Sequence, residues 1–166
     1  METVLKERDI SSHEGKFLTF ALSNEEYGIE ILKVREIIGI MEITPVPQTP
    51  DYMKGVINLR GKVIPIIDLR LKFAMPEVEH TKETCIIVAE VGTAQVGVIV
   101  DSVSEVTDIK GEDIEESPSF GKDIDTNFIM GLGKTKKKIV ILLDIEKVLS
   151  VEVIKMVEQM AKEKTS

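Results

Sequence analysis

Val63-Ile64-Pro65-Ile66-Ile67-Asp68-Leu69 and, 76 residues later, Ile139-Val140-Ile141-Leu142-Leu143-Asp144-Ile145 have one pattern: an apolar run of strand length closed by an aspartate. In the same shift Gly55-Val56 falls on Gly131-Leu132. A second correspondence runs at a shift of 69, where Tyr27-Gly28-Ile29-Glu30-Ile31 falls on Val96-Gly97-Val98-Ile99-Val100. Its register continues through Val34 on Val103, Glu36 on Glu105 and Ile37 on Val106, and backwards through Phe17-Leu18 on Ile86-Ile87. The two shifts differ by seven residues, which one insertion in the middle of the second half supplies. Self-similarity at fixed spacing is the mark of a repeated structural unit.

Each unit spans about 55 residues and orders its parts alike: strand, turn, strand, a turn-rich middle, then a hairpin ending in the apolar run. Period-two alternation and short apolar runs bounded by turn residues read as strands. Five short strands per unit make a small barrel. The expected fold is therefore all-β: two five-stranded barrels packed side by side, roughly 16–80 and 81–149, with exchange of strands between them left open. One such unit has a marginal core, so the pair must share a buried seam. Arg60-Gly61 reads as a hairpin tip. Residues 31–38 fit either a turn of helix or an irregular strand, and 110–125 a surface loop. Residues 1–15 read as a flexible tail, and 150–166 as a C-terminal α-helix and tail. Ser150 is the expected N-cap of that helix, which spans about 151–162.

Composition narrows the function. Of 166 residues, 43% are apolar and 30% charged, the profile of a globular domain. Twenty-one Lys and Arg against 29 Asp and Glu leave a net charge of −8, which argues against nucleic acid as a partner and against attachment to anionic lipid. No run approaches the ~18 apolar residues of a membrane span. The polar N-terminus lacks the apolar run of a secretion signal, and a lone Cys85 allows no intrachain disulfide, so a cytosolic setting fits.

Candidate chemistry falls away on inspection. Gly131-Leu132-Gly133-Lys134-Thr135 looks like the end of a phosphate-binding loop, but Phe128 stands where the first glycine belongs and a strand follows in place of a helix. It is better read as a basic hairpin turn. His13, His80 and Cys85 have no metal-ligand spacing, so no metal or cofactor is expected. Cys85 opens an apolar strand and reads as a packed thiol. Asp68, Asp101 and Asp144 end strands, where a carboxylate caps the next turn; a catalytic pair among them is the competing reading. No nucleophile, base and orienting group occur together, so no catalytic residue is named. Arg60 is either a solvated turn residue or the partner of a carboxylate, plausibly Glu36, beside a binding surface.

Gly55-Val56-Ile57-Asn58-Leu59-Arg60-Gly61-Lys62-Val63-Ile64-Pro65-Ile66-Ile67-Asp68-Leu69-Arg70 resembles the signature of the CheW family of bacterial chemotaxis coupling proteins. Residues 27–37, 52–55 and 97–106 resemble the same family in the same order, so the likeness runs from about Lys16 to Leu149. It implies two SH3-like barrels and an adaptor linking the regulatory domain of the CheA histidine kinase to methyl-accepting chemotaxis receptors. With no kinase or receiver domain in the chain, a free-standing adaptor is implied, cytoplasmic and recruited to receptor arrays. Carried over by position, the receptor-facing residues are Val34, Glu36, Ile37 and Arg60. The repeat adds Val100 and Val103 as expectations for an opposite wall. Kinase contact is expected around Met41, Ile43, Val46 and Pro47. The competing functions are an enzyme or small-ligand barrel using the strand-end carboxylates, and an adaptor serving a related motility system.

Overall fold

A computed structural model of the chain describes residues 15–116, 128–136 and 138–149. The first unit supplies β1 (Gly15–Leu22), β2 (Glu25–Glu30), β3 (Val34–Gly39), β4 (Met53–Leu59) and β5 (Lys62–Asp68). The second supplies β6 (Cys85–Val91), β7 (Ala94–Val100), β8 (Ser102–Ile109), a two-residue β9 (Ile114–Glu115), β10 (Ile129–Lys134) and β11 (Ile139–Leu143). A single-turn helix, α1 (Leu69–Lys72), follows β5, and residues 145–149 are helical after β11. Residues 31–33 form a 3₁₀ turn that leads into β3. The helix expected at 151–162 and all but the last residue of the expected tail lie outside the described residues.

The strands form two sheets, each the wall of an SH3-like barrel. Barrel I runs β3-β6-β7-β5-β4 and barrel II runs β8-β1-β2-β11-β10-β9. Neither is built from one half of the chain. Each takes its later strands from one unit and the leading hairpin from the other. The parallel pairs β5–β7 and β11–β2 make those joins. A boundary at residue 80 therefore cuts both barrels, and the 16–80 and 81–149 division does not describe them.

The duplication holds down to register. Ile66 lies opposite Gly97 in barrel I, and Leu142 opposite Gly28 in barrel II, as the two sequence shifts require. The irregularity between Met53 and Gly55 in β4 recurs between Ile129 and Gly131 in β10. These two glycines admit another strand's backbone. A Cβ on Gly55 would stand 2.1 Å from the Thr44 carbonyl oxygen, and one on Gly131 2.8 Å from that of Glu115. Thr44 bridges to Val56, and Glu115 pairs with Leu132, its counterpart.

Most apolar burial lies at the seam between the barrels. Nineteen buried residues, among them Leu18, Phe20, Ile29, Ile67, Ile87, Val98 and Leu143, form one cluster drawn from both sheets. Barrel I has its own core of six around Ile57, Ile64 and Ile86. Barrel II has four, Phe17, Ile109, Val140 and Leu142. At about 1.5–3 kcal/mol for each large side chain taken from water, the seam outweighs either interior. The scarce aromatics gather there too. Phe20 stacks on Tyr27 at 6.0 Å, Tyr27 on Phe73 at 6.0 Å, and Phe73 on Phe128 at 5.3 Å.

Candidate functional site

The β4–β5 hairpin presents Arg60. Both turn residues have positive φ, 53° at Arg60 and 86° at Gly61, the pattern of the tight hairpin turn that matches strand twist. Asn58 Oδ1 accepts the Gly61 N–H at 2.8 Å and fixes the turn. Held this way, Arg60 reaches across to β3 and donates from Nη2 to Glu36 Oε1. The pair stands at the surface, with Arg60 70% exposed, so its stabilising effect is at most about 1 kcal/mol.

Glu36 and Arg60 rim a concavity of about 430 Å³ whose other walls are Arg35, Leu59, Lys62, Ile64 and Gln95. Three cations and one carboxylate line it. Arg35 is also paired outward, with Glu90 at 3.3 Å. Ile37, next along β3, is 43% exposed.

The structure thus brings Glu36 and Arg60 together at the rim of barrel I, while Ile37, the next residue of β3, points to the other side of the strand. Val34 opens β3 half-buried against the seam, as Val103 does on β8. Val100 is 1% exposed within the seam core. It belongs to β7, which is paired on both edges and packed on its face, so it forms no wall of an open groove and is withdrawn from the site. On the connection between β3 and β4, Met41 and Pro47 are exposed and Val46 is half-buried. Ile43 packs instead against the barrel I core.

The strand-end aspartates are engaged structurally. Asp68 Oδ1 accepts the N–H groups of Arg70 and Leu71 at the start of α1, and Asp144 Oδ1 those of Glu146 and Lys147. These are the caps expected of them. Asp101 has another task. It meets Arg70 in a two-pronged ion pair and accepts the Ser23 N–H at 2.9 Å. Arg70 holds the Asp101 carboxyl below its usual range, burial opposing and the Ser23 bond assisting. Cys85 is half-buried and donates to the Glu83 carbonyl. The glycine-rich stretch expected to be a turn is strand β10, and the turn lies beyond it, between Thr135 and Lys138. Sequence reading missed Arg35, Lys62 and Gln95, which lie on separate strands and meet only in the folded barrel.

Comparison with known proteins follows the same lines. Residues 16–153 match the family model described as CheW-like domain. The chain is 47% identical over 147 residues to Chemotaxis protein CheW of Klebsiella aerogenes, covering 89% of each. It is 36% identical over 138 residues to Chemotaxis protein CheW of Bacillus subtilis, covering 82% of this chain and 88% of that one. The crystal structure of the scaffolding protein TtCheW from Thermoanaerobacter tengcongensis superposes with a TM-score of 0.76 at 37% identity, over 84% of this chain and 95% of that one.

Proposed function

The chain belongs to the CheW family, a family of chemotaxis scaffold proteins, and on that premise we propose that it is a non-catalytic adaptor linking the CheA kinase regulatory domain to the cytoplasmic tips of methyl-accepting chemoreceptors. The observation that carries this reading is the Glu36–Arg60 pair at the rim of an open concavity. An ion pair this exposed contributes little to folding. Its service is to hold two charged side chains in fixed positions on a surface that another protein can read.

Receptor contact belongs on β3 and the β4–β5 tip, through Glu36, Ile37 and Arg60, with Val34 and Val103 giving half-buried support at the seam. Kinase contact belongs on the β3–β4 connection, through Met41, Val46 and Pro47, with Ile43 anchoring that segment to the core. The adaptor works by holding two proteins together, with no bond made or broken by its own residues. It acts in the cytoplasm, at the membrane-associated receptor arrays. Asp68 and Asp144, which an enzymatic reading would require, are both used as helix caps. The test is a titration with the kinase regulatory domain and with a receptor cytoplasmic fragment, separately and together. Binding to each, and receptor control of the kinase only when the chain is added, is the expected result. A chain that binds neither refutes the reading.

A further inference from the structure

The duplication supplies an internal comparison for the concavity of barrel I. On barrel II the positions matching Gln95 and Lys62, Glu26 and Lys138, line a concavity of about 550 Å³ together with Ala21, Asn24, Glu25 and Ile139. The two shifts set Glu26 on Gln95, Ser104 on Arg35 and Lys138 on Lys62. In barrel II these three positions close on one another. Lys138 Nζ lies 3.2 Å from Glu26 Oε1, and Ser104 Oγ donates to the same oxygen at 2.9 Å. In barrel I the central carboxylate is replaced by the neutral Gln95 and the hydroxyl by the guanidinium of Arg35. With Arg35 paired to Glu90 and Arg60 to Glu36, Lys62 is the one cation of that wall without an ion-pair partner among the described residues, in a chain whose net charge is −8.

We propose that the barrel I concavity is an acceptor for an acidic side chain of the receptor tip, with Lys62 and Arg35 as its charge-reading residues and Gln95 keeping it open. This rests on the adaptor reading and adds the chemistry of the contact. The carboxylate enters over the apolar wall of Leu59 and Ile64, between Lys62 and the Arg60 tip. The barrel II concavity, in which Glu26 already occupies that place, accepts none.

The experiment is a titration of the full chain with a soluble receptor cytoplasmic fragment that includes the hairpin tip, comparing the parent with Lys62→Gln, Gln95→Glu and Lys138→Gln. Circular dichroism checks that each variant is folded. Lys62→Gln should weaken binding about fivefold, the upper range for an exposed charge pair. Gln95→Glu, which copies the barrel II arrangement, should do the same while leaving all three cations in place. Lys138→Gln should leave affinity within about twofold. Raising salt from 0.05 to 0.5 M should weaken the parent more than Lys62→Gln, because the variant keeps only part of this attraction to screen. If the parent binds and any other pattern is seen across the three variants, the acceptor assignment is overturned and the adaptor reading survives. If the parent itself does not bind the fragment, the receptor half of the adaptor reading fails, and this inference with it.

Discussion

Arg70 and Asp101 meet fork to fork, with Nε donating to Oδ1 at 2.7 Å and Nη2 to Oδ2 at 2.6 Å. Arg70 stands in α1 after β5, and Asp101 at the end of β7, so the pair ties together strands from opposite halves of the chain. Asp101 also accepts the Ser23 N–H from the β1–β2 turn, which ties barrel II to the same point. Because the folded carboxyl titrates below its unfolded value, its stabilisation is complete above that value and is lost as pH falls through the folded one. Thermal unfolding across the acid range should show the parent losing an advantage below about pH 4 that Asp101→Asn lacks. At pH 7 the variant should be less stable by about 2 kcal/mol, roughly a 5 °C lower midpoint. Parallel acid profiles for the two proteins would show that the pair carries no linkage.

Gly55 and Gly61 both have positive φ, yet they should respond differently to alanine. Gly61 faces open space, so Gly61→Ala meets only the backbone penalty, about 1–2 kcal/mol. At Gly55 the new methyl would also strike the Thr44 carbonyl and break the bridge to Val56. Gly55→Ala should cost about 3 kcal/mol or more. Denaturant midpoints for the two variants decide the matter; equal losses would mean that the loop from β3 moves aside freely.

Since the largest core lies between the barrels, neither should melt alone. Calorimetry of the full chain should give a single transition with calorimetric and van't Hoff enthalpies in agreement. Two resolved transitions would show that the small interiors around Ile57 and Phe17 suffice for independent folding.

Reversing Arg60 to Glu sets two carboxylates face to face on an exposed rim. Receptor binding should weaken roughly tenfold, about 1.4 kcal/mol, while the melting temperature moves little. Unchanged assembly and kinase activation with Arg60→Glu would remove the Glu36–Arg60 pair from the receptor site.

The features legible in the sequence were local ones. A run of apolar residues closed by Asp68 or Asp144 specifies a strand and its cap without reference to anything distant. Arg60-Gly61 specifies a turn in the same way. Strand exchange was not legible, because alternation tells which face a strand buries and nothing about its neighbour in the sheet. Ser102–Ile109 escaped notice as a strand since its polar edge position leaves little alternation to read. Gly131 and Gly133 suggested a turn, whereas both glycines make room: a Cβ on Gly133 would lie 2.9 Å from Ile109 Cδ1. Val100 was misplaced because its partner in the repeat, Ile31, lies half-buried in the 3₁₀ turn after β2, where burial differs. Of the site, Glu36 with Arg60 was foreseen, while the cations around Gln95 needed three dimensions to be seen as one wall.

The crossing of the leading hairpins has a consequence for synthesis. A chain emerging from the ribosome cannot finish barrel I until β7 is out, although β3, β4 and β5 have long been available. The β1–β2 hairpin waits longer, with its hydrogen-bonding edge bare until β11, close to the end of the described chain, arrives beside it. Contacts of such long sequence separation slow folding and lengthen the time that sticky edges are exposed. The same stitching that makes two small barrels into one durable object defers its completion until β11 has been made.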